Sequence, residues 1–431
     1  MTSIRAGFGL YYTAYAQIIN QYELGNSPFA IFYVSGVPIY LEEPFTGRQG
    51  SDPGQRFPYV APTSGASTDW SIFQPVGGQQ SFLRSNVTPY DEQFNVNIQR
   101  QLGRSFVATL AYVGTNGRHL IDQVSGNPGI ASKCLEIAAA AEAAGPDAQG
   151  CGPNGEDTIY NIAGTTYNGT RPYSVTSGRL LDIGRLDFAQ VPTIPTSGSS
   201  SYNALQASAQ KVGGSFQILG SYTYAKALDN MSGFLSSFVN PFDHRLSRGL
   251  SSFDMKHNFV ASYSYNLPLQ RLVGNTNGVA GHLLSGWQIS GITRLTTGLP
   301  IFLRQSGDLS LCGCQEGGSP NYAGGTIRRF DPRKTGQYFA TDQFSSETLG
   351  EFGTARHSFF TGPGLNNTDL ALQKFTRIKE GVSFEFRAEF FNVFNHAQFY
   401  NPGGDFNSSS FGVVTSARDP RIGQIASKIS F

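Results

Sequence analysis

Short glycine-containing turns and long loops alternate along almost the whole sequence, and this alternation restricts the fold more than any other feature. The short connections Gln101–Arg104, Val212–Ser215 and Lys379–Gly381 are predicted to be tight hairpin turns, because glycine accepts the positive φ that such turns need. The other connections are far longer, at about 16–89, 116–201, 228–254, 304–365 and 396–420, and the intermediate stretch 268–284 takes the place of a short turn. Loops of that length are uncommon in compact soluble domains. In outer-membrane barrels, short periplasmic turns and long extracellular loops are the rule.

Ten segments between these connections are predicted to be strands, at about residues 4–15, 90–101, 104–115, 202–212, 215–227, 255–267, 285–303, 366–378, 382–395 and 421–431. Several of them alternate between apolar and polar residues, which places one kind of side chain on each face. A soluble sandwich with one solvated face would show the same alternation. The pattern of turns and loops separates the two folds. We therefore predict an all-β chain: an antiparallel transmembrane β-barrel domain over residues 1–431, with long extracellular loops and short periplasmic turns.

The segment 382–395 carries charged residues on one face and phenylalanines on the other. Glu385, Arg387 and Glu389 share the charged face, which in a barrel would line the lumen. One interpretation is that they line a substrate path or touch a plug. The simpler interpretation is that they neutralise one another across neighbouring strands, with Lys374 and Arg377 within reach.

The last strand ends the sequence on an aromatic residue. Counting back from Phe431, Ile429 and Ile425 fall on the same face, and polar residues fall on the other. Strands of this kind close bacterial outer-membrane barrels and are read by the barrel-assembly machinery, so Ile425, Ile429 and Phe431 are the predicted assembly signal. The alternative is an ordinary half-buried last strand of a soluble β protein.

The composition agrees with a barrel and excludes several partners. Aromatic residues make up 13% of the chain and charged residues only 14%, below the usual quarter of a soluble domain. The balance of 31 basic and 30 acidic residues argues against a nucleic-acid partner, which would need a basic excess. There is no run of about 18 apolar residues, as a membrane-spanning helix would require.

The four cysteines lie outside the predicted strands. Their spacing does not match a zinc ribbon, so a loop disulfide between Cys134 and Cys151 is the favoured interpretation. The states of Cys312 and Cys314 stay open, because the two are too close in sequence for an unstrained bridge to be assumed. An alanine-rich run from Cys134 to Gly145 predicts one short helix on the same loop.

No pattern of catalytic or metal-binding residues is present, so we predict no enzymatic activity, no cofactor and no metal. The glycines at Gly7 and Gly9 lie in a predicted strand rather than before a helix, unlike a dinucleotide motif. Asp243-His244-Arg245 is interpreted as a solvated cluster of charges on a loop. His396, at a strand end, is interpreted as an interfacial residue beside aromatics.

Several runs resemble the barrels of Oar-like TonB-dependent receptors. They are PYDEQFNVNIQR (Pro89–Arg100), YNALQ (Tyr202–Gln206), RGLSSFDMKHNFV (Arg248–Val260), SGWQI (Ser285–Ile289), GPGLNNTDLAL (Gly362–Leu372) and FRAEFFNVFNHAQF (Phe386–Phe399). The resemblance extends from about Arg5 to Phe431. It marks a barrel lineage rather than a substrate.

The resemblance implies a larger protein than this sequence supplies. Members of the family have a signal peptide, a regulatory-like β domain, a plug and a barrel of ~22 strands, of which about ten strands are expected here. The implied function is that of an outer-membrane receptor and transporter segment for a large solute, a fragment not competent alone. The implied partners are outer-membrane lipid, an unknown extracellular ligand and the TonB complex, the last only through the missing plug. The alternative is a structural or adhesive barrel without transport.

Overall fold

One large antiparallel sheet dominates the computed structural model, which describes residues 1–13, 74–75, 77, 80–174, 187–233, 240–272, 278–314 and 318–431. Its ten main strands are β1 (Thr2–Tyr12), β2 (Tyr90–Leu102), β3 (Phe106–Leu120), β4 (Gly198–Lys211), β5 (Phe216–Asp229), β6 (His257–Asn266), β7 (Trp287–Thr296), β8 (Leu365–Lys379), β9 (Val382–Phe391) and β10 (Ile422–Ser430). Each strand pairs with the next along the chain. All ten predicted strands are therefore confirmed, and so is their antiparallel order.

Within the described residues, the sheet has two edges. β1 pairs only with β2, and β10 pairs only with β9. A short strand, Gly249–Leu250, adds to β5 near the end of that strand. The sheet is thus continuous from β1 to β10, and within the described residues its first and last strands each keep one side unpaired.

The register gives the sheet one apolar and one polar face, because directly opposed residues of neighbouring strands point to the same side. Phe390 lies opposite Leu370, and Phe259 lies opposite Leu295. The apolar face is formed by residues such as Ile4, Phe8, Phe94, Leu110, Leu205, Ile218, Tyr263, Ile289, Leu372, Phe386 and Ile425. The polar face carries amides, hydroxyls and charges such as Gln99, Ser208, Gln217, Ser264, Gln288, Gln373 and Arg387.

The short connections all leave the sheet at one end, here called the turn end, and the long ones leave at the other, the loop end. Gly103, Gly213 and Gly381 have φ of 70°, 93° and 78°. A side chain with a Cβ atom would be strained in this left-handed conformation, which explains why glycine occupies each turn.

Two predicted strands extended too far. The predicted segment 285–303 stops at Thr296, because Pro300 cannot donate to a ladder and residues 301–303 turn into the packed loops. The predicted segment 382–395 stops at Phe391, because Asn392 adopts a positive φ of 50°.

The long loops fold into a layer of their own, here called the loop cap. One hydrophobic cluster joins the loops after β7 and β9 and contains Ile301, Leu303, Ile327, Tyr338, Phe339, Phe344, Ala355, Phe360 and Phe411. A second cluster lies in the loop after β3 and contains Cys134, Ile137, Ala141, Cys151, Tyr160 and Ile162, with Leu311 from the loop after β7. Leu311 therefore ties the two loops together.

The loop after β3 contains the predicted helix, α1 (Ala131–Ala144), which ends at Gly145 as expected. Two further helices are α2 (Val279–Leu284), in the connection between β6 and β7, and α3 (Pro332–Thr335). None of the helices among the described residues is long and apolar enough to cross a membrane. The other elements within the described residues are the 3-10 turns His244–Ser247, Leu269–Leu272 and Thr341–Gln343 and the short strands Ser81–Phe82, Val124–Ser125, Ile159–Ile162, Thr165–Asn168, Pro192–Ile194, Asn321–Tyr322 and Phe344–Ser345.

Candidate functional site

The three charged residues predicted on β9 lie side by side on the polar face. Arg387 forms ion pairs with Glu385 at 3.5 Å and with Glu389 at 3.2 Å. Gln424 of β10 donates a hydrogen bond to Glu389, and Lys428 lies directly opposite Glu385. Residues two apart on a strand share a face, so the strand itself brings the three charges together. The three residues sum to one negative charge, which Lys428 on the neighbouring strand balances.

Lys374 does not belong to this row, and its predicted neighbourhood was wrong. The register places Lys374 opposite Phe386, on the apolar face, whereas Phe375 lies opposite Glu385. Its ammonium group donates to the carbonyls of His282 and Ser285 instead. Arg377 lies on the polar face, opposite Ser383. A shift of one residue changes the face in a strand, and sequence spacing alone did not settle this register.

The polar face of β4 to β9 forms a groove of about 390 Å³. The bottom of the groove is lined by small side chains of the middle strands, namely Ser262, Ser264, Ser290 and Ala371. Gln217 and Glu389 lie at the two ends of one row of residues that runs across the strands. The neighbouring row contains Leu219, Ile292 and Phe391, whose side chains add exposed apolar surface. The groove therefore offers hydrogen-bond donors, acceptors and apolar contacts together. Among the described residues, no group of three or more His, Cys, Asp or Glu side chains is arranged to hold a metal ion.

The FRAEFFNVFNHAQF run closes the loop ends of three strands. Asn392 donates its backbone N–H to Asp369 of β8 at 2.8 Å, and its side chain bonds the backbone of His396 in both directions, at 2.9 and 3.0 Å. Asn395, also at positive φ, accepts from the backbone N–H of Arg421 just before β10. The asparagines thus stop β9 and hold β8, β9 and β10 in place. An asparagine after a strand is typical of such a turn. Here the aromatic residues on either side of Asn392 continue the strand-like pattern, so the sequence predicted a strand through this position.

Four aromatic residues of the long loops pack into the loop cap. Tyr160 and Phe360 are buried, and Tyr167 and Phe359 pack against the two hydrophobic clusters. Cys134 and Cys151 form a disulfide with Cα atoms 5.1 Å apart, between α1 and the segment that follows it. The structure also joins Cys312 to Cys314.

A buried arginine that sequence reasoning missed connects the loops after β3 and β7. Arg171 is only 3% exposed and forms a two-pronged ion pair with Asp157, with its shortest contact at 2.7 Å. Its remaining N–H groups donate to the carbonyls of Asn127, Cys312 and Gly313. An arginine presents five donors in a fixed fork, and here they span both loops.

Two carboxyl groups meet beside this arginine. Burial, a hydrogen bond with Asp308 and the negative charge of Asp308 raise the pKa of Glu156 to about 8, against a smaller opposing effect of Arg171. Asp308 itself accepts from the backbone N–H groups of Cys312 and Gly313 at 3.0 Å. The packing of the two loops therefore favours the protonated form of Glu156.

We expect the packing of these two loops to weaken as the pH rises. The folded state holds a proton on Glu156 up to about pH 8, whereas an unfolded glutamate loses its proton near pH 4.5. The stabilisation is therefore complete below pH 4.5 and is lost as the pH rises from 4.5 to about 8. Hydrogen exchange of the Gly129 amide, which donates to the Cys312 carbonyl, measures the opening. Glu156→Gln should flatten this dependence, and Glu142→Gln, on the exposed side of α1, should retain it. An unchanged pH profile in Glu156→Gln would contradict the expectation.

The other residues singled out from the sequence lie on the loops and on β10. Asp243 and Arg245 form an exposed ion pair at 2.7 Å, and the hydrogen bond from Arg245 lowers the pKa of Asp243 to about 2. His396 lies against the ring of Phe394, with centroids 5.9 Å apart. Ile425 and Ile429 lie on the apolar face of β10, opposite Ala388 and Phe384, and Phe431 follows the end of the strand.

Comparison with solved structures returns outer-membrane receptors and transporters at low similarity. The outer membrane transporter YddB from Escherichia coli is 9% identical, with 82% of this chain and 34% of that chain covered and a TM-score of 0.40. The FrpB iron transporter from Neisseria meningitidis is 12% identical, with 82% and 33% covered and a TM-score of 0.34. The pyoverdine receptor FpvA from Pseudomonas aeruginosa is 12% identical, with 80% and 30% covered and a TM-score of 0.34. This chain spans about a third of the length of each.

No curated protein matches the sequence. The family model described as an outer membrane beta barrel domain matches residues 1–424, which is nearly the whole chain and includes nine complete strands of the sheet. Its match agrees with the two faces of the sheet and with the separation of turns from loops. The chain therefore belongs to the outer membrane β-barrel domain family and is a protein of the Gram-negative outer membrane.

Proposed function

We propose that this chain is a barrel segment of a TonB-dependent receptor that takes up a large solute, and that it is not competent for transport alone. The observation that carries the proposal is the sheet itself. Ten strands with a lipid-type face and a polar face run in unbroken order, and among the described residues no strand pairs with the outer edge of β1 or of β10. An exposed edge is a row of unpaired backbone donors and acceptors, which a membrane protein cannot leave facing lipid.

The polar face supports a role in passage rather than in catalysis. Its groove combines serine and glutamine side chains with exposed Leu219, Ile292 and Phe391. The two glutamates beside it are balanced by Arg387, which pairs with both, and by Lys428 opposite Glu385. Such a surface can form many weak contacts with a passing solute or with a plug domain. Energy from the TonB complex would reach it through that plug.

The solute would be bound at the cell surface by aromatic residues of the loops that are not buried in the loop cap. Tyr173, Phe242 and Phe253 are 62%, 65% and 65% exposed. Exposed aromatic rings supply large contact area at low entropic cost. They are better candidates for ligand contacts than Tyr160 and Phe360, which are buried.

Cysteine cross-linking tests whether the two edges meet. Ile4→Cys with Ile98→Cys is the control, because these residues lie directly opposite each other in β1 and β2. That pair should form a disulfide, since opposed strand residues lie within bridging distance. The pair Ile4→Cys with Ile429→Cys should form none within a single chain, and the chain should show no heat-modifiable migration on denaturing gels.

A closed barrel would overturn the proposal. If Ile4→Cys and Ile429→Cys joined at the mass of one chain, and the protein migrated as a compact heat-modifiable band, ten strands would suffice for a barrel. The structural or adhesive alternative would then be favoured. Recovery of the chain in the soluble periplasmic fraction would contradict both.

A further inference from the structure

The connection between β6 and β7 presents an apolar ridge at the turn end of the sheet. Its short helix α2 exposes Val279 by 78% and Leu283 by 61%. Residues four apart lie on the same side of a helix, so the two side chains form one ridge. The tight turns at this end contain no comparable element.

Two residues of the apolar face hold α2 in place. Lys374 donates to the carbonyl of His282 at 2.9 Å and to that of Ser285 at 2.8 Å, at the carboxyl end of the helix. A cation is favourable at this end of a helix. Trp287 donates its indole N–H to the carbonyl of Leu283 at 2.9 Å, and the Lys374 ammonium lies 5.4 Å from the centre of the Trp287 ring.

The position of these contacts determines which side of the sheet α2 occupies. Trp287 and Lys374 lie directly opposite each other in β7 and β8, on the apolar face. The carboxyl end of α2 is therefore on that side, rather than over the polar face. The exposed side chains of Val279 and Leu283 therefore lie on a helix that is anchored at the turn end of the apolar face, beside Trp287 and Lys374.

We propose that α2 is an interfacial membrane anchor, which inserts Val279 and Leu283 into the periplasmic leaflet of the outer membrane. The occupant is lipid because the helix that carries the ridge is anchored at the turn end of the face that meets lipid in this family. Tryptophan is favoured at the membrane–water boundary, and lysine reaches from apolar surface toward head groups. Lys374 and Trp287 thus set the depth of the helix, and the inference holds whether or not the barrel needs further strands.

Nitroxide labels read by power saturation test this placement. Labels at Val279→Cys, Leu283→Cys, Ile289→Cys and Glu380→Cys would be compared in isolated outer membranes, with the unsubstituted protein as control for the native cysteines. Ile289, on the apolar face of β7, is the lipid reference. Glu380, in an exposed turn at the same end, is the water reference. Positions 279 and 283 should show the oxygen accessibility of 289 and be shielded from a water-soluble nickel chelate.

Two outcomes would overturn the proposal. Chelate accessibility at 279 and 283 equal to that at 380 would place α2 in water. Shielding from both oxygen and chelate would show that protein, not lipid, covers the ridge. As a second measurement, Lys374→Met should increase the mobility of the label at 283 relative to wild type. Unchanged mobility would contradict the role assigned to Lys374.

Discussion

Replacing Phe339 by alanine is expected to destabilise the loop cap by about 3–5 kcal/mol, the usual cost of removing a buried phenylalanine. Phe339 has no exposed surface. Its ring meets those of Phe360, Phe411 and Phe344 edge-on, with centroids 5.1, 5.2 and 5.8 Å apart. Edge-to-face aromatic pairs stabilise beyond the area that they bury. Phe339 therefore holds the centre of the cluster.

Hydrogen exchange of the Ile301 and Leu303 amides measures this loss, because they donate to the carbonyls of Phe360 and His357 across the cluster. The matched control is Phe330→Ala, since Phe330 is 43% exposed and should cost much less. The strands of the sheet should keep their protection in both variants. Equal losses in the two variants would show that the aromatic cluster does not hold the cap together.

Arg171→Ala is expected to separate the loop after β3 from the loop after β7. The cost should be below the about 3–5 kcal/mol found when a fully buried ion pair loses one partner, because the Asp157 side chain is 38% exposed and water solvates its charge. The change leaves Asp157 without its partner and removes the donors to the carbonyls of Asn127, Cys312 and Gly313. Faster exchange of the Gly129 amide and faster tryptic cleavage of the loops would report the separation.

The control for this experiment is Arg245→Ala, which removes an equally short ion pair at 2.7 Å whose arginine is 90% exposed. Exposed pairs contribute little because water and salt screen them, so no measurable change is expected. Arg171→Lys should restore only part of the loss, since lysine cannot reproduce the arginine fork. If Arg171→Ala behaved like Arg245→Ala, the proposed link between the loops would be wrong.

The strands and their faces could be predicted because both depend on local pattern. A two-residue period places Glu385, Arg387 and Glu389 on one face in any sheet, and glycine marks the turns. The ends of strands were less predictable. β7 ends at Thr296, and residues 301 and 303, which follow it, pack into the hydrophobic cluster of the loop cap. That packing involves distant segments, so it could not be predicted from the local sequence.

Contacts between distant segments were not predictable from one sequence. Arg171 and Gly313 are 142 residues apart, and Lys374 and His282 are 92 apart. Lys374 was expected beside the charges of β9, and the register of β8 placed it on the other face. The proton on Glu156 likewise depends on burial and on Asp308, which only the packed loops supply.

The sequence by itself determined the architecture: ten strands, two faces and a separation of short turns from long loops. These follow from side-chain periodicity and turn chemistry, which act over a few residues. The tertiary structure decided which loops pack together, which aromatics remain exposed and where Lys374 points. It also decided that, within the part of the chain that the structure describes, the outer edges of β1 and β10 have no partner strand. Those outcomes depend on register, burial and close packing among segments far apart in the chain, and local pattern carries no record of them.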